Sequence, residues 1–238
     1  MITVGHAEAE QQQIRAALDA GVSEPRVMSW HYSAPALVLG RGQKPAQPLL
    51  ERAADEGVAV VTRASGGGAV IAGPWMLSVT LLLPAAHALA RKSLPAGYSA
   101  VGEACRRVLH RFRIPTALAA GASAARSAGS AASDDLDWVC FAGLSHGELV
   151  AGGGRKIVGV SQVRRRDAVG ICLGILLGRP DWASMLRVWQ GGDDPRLVLR
   201  LENCTASCDQ LVPPDEVPSI HSLAAALEAE LPTLGLAA

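Results

Sequence analysis

Three consecutive glycines, Gly66, Gly67 and Gly68, stand between two runs that read as strands. Upstream is a β-branched run over residues 58–62. Downstream is an apolar run over residues 75–83, which Pro84 stops. The joining segment is Arg63-Ala64-Ser65-Gly66-Gly67-Gly68-Ala69-Val70. Residues without side chains let a backbone approach another group closely and take positive φ. Successive N–H groups in such a loop can cradle a carboxylate or phosphate. Arg63 adds a planar fork of donors beside it. A flexible hairpin loop is the competing reading of the same residues. A P-loop is excluded because no Lys-Ser/Thr follows, and a dinucleotide fingerprint because a strand follows rather than a helix.

The flanking chain alternates short strands with helices. Residues 6–20 lack proline and β-branched runs, and Gly21 can end them, so a helix is expected. Residues 27–30 and 36–40 read as two strands around a turn. Residues 49–56 read as a short helix that Gly57 caps. Residues 93–112 carry Val101, Cys105, Val108, Leu109 and Phe112 at helical spacing. Residues 117–133 are Ala/Ser/Gly-rich and read as a loop or insertion tip. Residues 136–141 and 147–151 are expected to be strands meeting at a turn. Residues 157–162 and 169–177 form a further pair, with Arg164-Arg165-Arg166-Asp167 as its turn. Helices follow at 180–189 and 219–230, and residues 195–201 have no clear preference. Strands grouped between helices predict an α+β fold with a mostly antiparallel sheet.

The 238 residues carry 22 Lys+Arg against 22 Asp+Glu, so bulk charge does not hold this chain on nucleic acid. No apolar stretch is long and unbroken enough to span a bilayer, and residues 1–14 lack the pattern of a secretory signal. A cytoplasmic protein with no membrane partner is expected. The 5 cysteines (Cys105, Cys140, Cys172, Cys204, Cys208) are odd in number, which fits reduced thiols. Cys204 and Cys208 have no second pair and no nearby His, so no metal site is expected.

Two further segments carry chemistry. Lys156 opens the apolar run Ile157-Val158-Gly159-Val160-Ser161-Gln162, an odd place for a charge. It is either a rim lysine that keeps its ammonium in water or an ammonium aimed at a developing negative charge. Cys140-Phe141 precedes Leu144-Ser145-His146-Gly147-Glu148. Cys140 is either a small core residue or a nucleophile.

Taken in order, these segments resemble the lipoate–protein ligase/octanoyltransferase family, which shares its catalytic domain with biotin ligases. Residues 29–43 are similar to its "W…P.LSLGR.Q" strand, through Trp30, Pro35, Leu39, Gly40, Arg41 and Gln43. Residues 63–70 resemble its "RR.SGGGAV" loop, and residues 154–162 its "G.KI.GSAQ" segment. The resemblance implies a single α+β catalytic domain over residues 1–238, a core of about 28–178, and no large C-terminal accessory domain. It implies that Arg63, Ser65, Gly66, Gly67, Gly68, Ala69 and Gly159 bind the acyl substrate and that Lys156 contacts the activated carbonyl or phosphate. Cys140 matches "CF…S..E", where cysteine-dependent members carry their nucleophile. The chain departs from the family at Ile71-Ala72-Gly73 and at residues 170–174, where many members have His.

Three functions follow as expectations. The first is cysteine-thioester transfer of octanoyl from acyl carrier protein, with no cofactor. The second is ATP-dependent lipoate–protein ligation, with ATP and Mg. Both would modify a lysine of a lipoyl domain in 2-oxoacid dehydrogenase complexes or of the glycine-cleavage H protein. The third is a non-catalytic relative that binds an acyl ligand or a lipoyl domain. Cys172 is an alternative thiol, and Arg164, Arg165 and Arg166 could meet an acidic partner.

Overall fold

The computed structural model describes residues 2–119 and 134–235. Its larger sheet has seven strands: β1 (Thr3–Gly5), β2 (Arg26–Tyr32), β6 (Met76–Pro84), β7 (Ala117–Leu118), β8 (Leu149–Ala151), β9 (Arg155–Arg164) and β10 (Ala168–Leu176). Their spatial order is β1-β2-β6-β10-β9-β8-β7. All neighbours are antiparallel except β1 and β2. A smaller sheet holds β3 (Ala36–Leu39), β4 (Ala59–Thr62) and β5 (Val70–Ala72) in the order β4-β3-β5. The helices are α1 (Ala7–Asp19), α2 (Gln47–Asp55), α3 (Leu94–Arg111), α4 (Trp182–Gln190), α5 (Pro195–Cys204) and α6 (Ile220–Glu230). This is the expected α+β fold with a mostly antiparallel sheet.

Strand alternation explains the layering. Leu77, Val79, Leu81 and Leu83 of β6 are all within 1% of full burial and join Ile171, Leu173 and Ile175 of β10 in the main core. Each such side chain contributes roughly 1.5–3 kcal/mol of burial free energy. Residues between them on β6 face α1. There Ile14 and Leu18 of α1 pack with Leu82, Val163 and Ala168 in a second apolar cluster. The expected arginine turn joins β9 to β10, closed by Arg165 N–H donating to the Ala168 carbonyl. Residues 195–201, ambiguous in sequence, begin a helix because Asp194 caps it and Pro195 occupies its first position.

β2 and β3 form as expected with a short connection between them, although they join different sheets. One expectation is corrected: residues 136–141 are not a strand. The chain forms short 3₁₀ turns at Asp134–Leu136 and Cys140–Ala142, and Val139 makes a single bridge to Ala69. The carbonyls of Cys140 and Gly143 accept from a lysine side chain instead of from a strand partner. Of the loop expected at 117–133, residues 120–133 lie outside the described residues. Among the described residues, no helix is long and apolar enough to cross a membrane, and no group of three His, Cys, Asp or Glu could hold a metal ion.

Candidate active site

A cavity lies where small residues on the larger sheet face α1 and the smaller sheet. The register builds its floor in two rows. One row is Ser78, Gly174 and Gly159, and the next is Thr80, Cys172 and Ser161. Directly opposite residues share a face of a sheet, so glycines and short polar side chains open a slot across β9, β10 and β6. Val38, Val70 and Ala72 line it from the smaller sheet, and Glu10, Gln11 and Ile14 from α1. Arg63, Ser65, Cys140, Phe141 and Gly159 also line it.

The glycine loop is held from several sides. The Arg63 guanidinium donates to the carbonyl oxygens of Gly66 and Gly68, each at 2.8 Å. Its fork therefore wraps the loop. With those carbonyls turned to Arg63, the N–H groups of Gly66, Gly67 and Gly68 meet no acceptor among the described residues. Gly67 has φ +101°, a conformation that favours glycine. Ser65 Oγ lies 2.9 Å from Ser161 Oγ, tying the loop to β9. Gly40 ends β3 beside the loop, where any side chain would overlap the Gly67 carbonyl. Gln43 accepts from Gly40 N–H and donates to the Trp138 carbonyl, at 2.9 and 3.2 Å. The Gly-Arg-Gly-Gln segment thus clamps the loop's outer side.

The far end of the loop meets the segment carrying Cys140. Ala69 N–H donates to the Trp138 carbonyl at 2.6 Å, and Cys140 N–H donates to the Ala69 carbonyl at 2.9 Å. A side chain on Gly68 would lie 2.5 Å from the Trp138 oxygen and 2.8 Å from the Cys140 nitrogen. Both are backbone atoms, so the loop would have to move. Gly68→Ala is expected to cost about 1–3 kcal/mol of stability and to reduce activity more than tenfold, because it displaces Cys140. Chemical denaturation paired with a transfer assay checks this.

Lys156 lies behind this segment, not in the slot lining. It is 1% exposed. Its ammonium donates to the Cys140 carbonyl at 2.7 Å and the Gly143 carbonyl at 3.1 Å, and pairs with Glu148 Oε1 at 2.7 Å. It also sits 5.0 Å from the centroid of the Phe141 ring. Glu148 in turn accepts from Ser145 N–H at 2.7 Å. A buried pair is tolerated only when its remaining hydrogen bonds are made, and here both partners make them. Gly159, which lines the slot, also adjoins this pair: a side-chain carbon there would lie 3.5 Å from Lys156 Cε and from Phe141 Cζ.

The thiols differ. Cys140 is half-buried on the slot wall. Cys172 also lines the slot, but burial pushes its thiol up to about 11, so it stays protonated. Burial likewise raises Cys208 to about 12. His146 is exposed on the turn after Gly143.

Glu10, Tyr32, Ser78 and Thr80 were not singled out from sequence, and Glu148 entered only as the last residue of the "CF…S..E" match. Glu10 carried a signal: it interrupts the buried stripe Ala7, Ile14 and Leu18 of α1. It accepts from Tyr32 Oη at 2.7 Å, from Gln11 Nε2 at 3.2 Å and from Ser78 Oγ. Burial raises its pKa above the usual carboxylate value, against those hydrogen bonds. A group with a raised folded pKa is protonated in both states at low pH. Above that range the folded state alone bears the cost of burying its charge. Stability is thus expected to fall as pH rises through the interval above 4.5. Melting temperatures of wild type and Glu10→Gln across that interval check this: the variant should lack Glu10's part of the slope.

A scan against protein-family models matches residues 6–196 to the lipoyl protein ligase A/B catalytic domain. A search of curated proteins finds no match. Among solved structures, a lipoate-protein ligase A bound with ATP gives a TM-score of 0.70 at 16% identity, over 99% of this chain and 83% of that one. A bi-partite lipoate protein ligase from Thermoplasma acidophilum, studied with its E2 lipoyl domain, gives 0.69 at 15%, over 97% and 81%. LipL1 of P. falciparum in complex with lipoate gives 0.60 at 12%, over 97% and 59%. At these identities the likeness is one of fold.

Proposed function

This chain belongs to the lipoyl protein ligase A/B catalytic-domain family, and we propose that it transfers a medium-chain acyl group, octanoyl or lipoyl, to a lysine amine of a lipoyl domain. The family makes it an enzyme of the lipoate/biotin protein ligase kind. The observation that carries the finer reading is the position of Cys140. Cys140 lines the slot, and its backbone N–H and carbonyl are held by the glycine loop and the Lys156 ammonium.

In the proposed route the Cys140 thiolate attacks the thioester carbonyl of octanoyl–acyl carrier protein. The carrier's thiolate leaves and takes a proton. The acyl chain then lies in the slot, with its carbonyl beside Gly68 and Ala69, whose loop supplies free N–H groups. The acceptor amine attacks the Cys140 thioester, the thiolate leaves, and the amine's proton passes to it or to water. A thioester is exchanged for a thioester and then for a more stable amide, so no ATP is needed. Arg63 and Ser65 shape the loop, while Lys156 and Glu148 hold the turn that presents Cys140.

The second reading is ATP-dependent ligation. It is supported by the fold shared with the ATP-bound lipoate-protein ligase A. In that case the free N–H groups of Gly66, Gly67 and Gly68 would take the phosphate of an acyl-adenylate, and Mg would accompany ATP. A lipoyl domain is the proposed acceptor in both readings, as the T. acidophilum ligase was studied with one. The glycine-cleavage H protein is the alternative acceptor. A cytoplasmic setting fits either donor.

Incubating the protein with an apo lipoyl domain and weighing the acceptor separates the readings. Octanoyl–acyl carrier protein without ATP should add octanoyl in the first. Lipoate with Mg-ATP should add lipoyl in the second. No mass gain under either condition leaves a non-catalytic binding protein.

A further inference from the structure

The arginine turn between β9 and β10 is part of neither the slot nor the glycine loop. Arg164, Arg165, Arg166 and Asp167 are all exposed there. The Arg164 guanidinium donates to the Ala90 carbonyl, which places the next two residues, the exposed Arg91 and Lys92, beside the turn. Arg165 pairs with Asp19 at 3.0 Å. The side chains of Arg91, Lys92 and Arg166 make no hydrogen bond or ion pair among the described residues. Five cations thus gather around two carboxylates, Asp19 and Asp167, on a chain whose net charge is zero. The excess is therefore local and not a by-product of basic composition. Leu94, 51% exposed, adds an apolar contact two residues beyond Lys92. An apolar side chain flanked by polar ones is the make-up of a protein docking face.

β9 links this patch to the slot. Ser161 and Cys140 line the slot and keep part of their surface exposed, so they lie where it opens. Arg164 follows Ser161 by three residues on the same strand, about 10 Å. The patch is therefore set back from the opening. A domain that offers a lysine from its own surface has to dock at the opening itself. A carrier that holds its acyl thioester on a long phosphopantetheine arm can dock at a distance and send the arm in. The root of such an arm is a phosphodiester, and guanidinium groups pair well with phosphate.

We propose that Arg91, Lys92 and Arg166, with Arg164 and Leu94 beside them, form the docking face for an acidic carrier domain, the acyl donor, whose thioester-bearing arm runs along β9 into the slot. The proposal rests on the thioester-donor reading above and adds where the donor sits. Complementary charge of this kind speeds encounter more than it strengthens the final contact. The patch thus acts on capture of the donor and takes no part in the transfer chemistry.

Acylation of the enzyme, followed by intact mass at low salt with two donors, tests it. One donor is octanoyl–acyl carrier protein. The other is octanoyl-pantetheine, which has the thioester but neither the protein nor its phosphate. The triple variant Arg91→Glu, Lys92→Glu, Arg166→Glu should be acylated about tenfold more slowly by subsaturating carrier protein and at the wild-type rate by octanoyl-pantetheine. Raising the salt should slow wild type with the carrier protein and narrow the gap. The matching triple Gln variant should show a smaller loss in the same direction, and it keeps the test decisive if charge reversal harms folding. A variant acylated by the carrier protein as fast as wild type overturns the proposal, as does one slowed equally with both donors. A variant slowed only in discharging its acyl group onto the apo lipoyl domain gives the patch to the acceptor and overturns it too. In these three cases the acyl-slot reading stands, because wild type is acylated. If neither donor acylates wild type, both fall together.

Discussion

Glu148→Ala is expected to destabilise the fold by about 3–5 kcal/mol, the usual cost of removing one partner from a buried ion pair, and to abolish acyl transfer. The carboxylate is 2.7 Å from an ammonium that, among the described residues, is otherwise held by two carbonyls and an aromatic face. Without it the Lys156 charge is buried and uncompensated, and Ser145 N–H loses its acceptor as well. The turn that the pair braces also carries Cys140, so the site should fail with the fold's local order.

A double variant separates structure from chemistry. Lys156→Met with Glu148→Leu removes both charges, and such replacements are often nearly neutral for stability. The double variant should recover most of the stability and none of the activity, because the Cys140 and Gly143 carbonyls lose their shared donor. Urea unfolding and a transfer assay on the three proteins check both halves. A Glu148→Ala protein within about 1 kcal/mol of wild type would mean that the pair is not the anchor assigned to it here.

Cys140→Ala should eliminate ATP-independent transfer from an acyl thioester while leaving the fold intact. The side chain is half-buried and makes its tertiary hydrogen bonds through the backbone, so its loss removes little packing. Cys172→Ala should still form an acyl-enzyme, because the Cys172 thiol stays protonated in its buried setting. The comparison is made with octanoyl–acyl carrier protein as donor. Full activity of Cys140→Ala from that donor would remove the thioester route. Activity kept only with lipoate and Mg-ATP would favour the ligase reading.

Much of this fold was legible in the sequence because its long elements advertise themselves. α1, α3 and the β9–β10 hairpin carry spacing, glycine stops and a charged turn. Thr3–Gly5 and Ala117–Leu118 do not, since strands of three and two residues exist only because a neighbour offers a ladder. The segment at residues 136–141 looks strand-like on its own, but its backbone groups close local turns and meet the glycine loop, Gln43 and the Lys156 ammonium instead of a strand partner.

The candidate site was legible where three glycines mark close approach, at Gly66, Gly67 and Gly68, while Gly159 entered only through the family resemblance. Its far end was hidden. Ser78 and Thr80 sit in an apolar strand buried on both faces, where alternation marks no side as a cavity. Glu148 follows an exposed serine and histidine, and nothing in that order shows that it turns inward to meet Lys156.

The most direct test of the account is the mass of the intact enzyme after brief exposure to octanoyl–acyl carrier protein without ATP. The account predicts one added octanoyl group, mapped to the peptide containing Cys140 and discharged when apo lipoyl domain is supplied. An acceptor that becomes acylated while the enzyme never carries the group, or only when ATP is present, would contradict it.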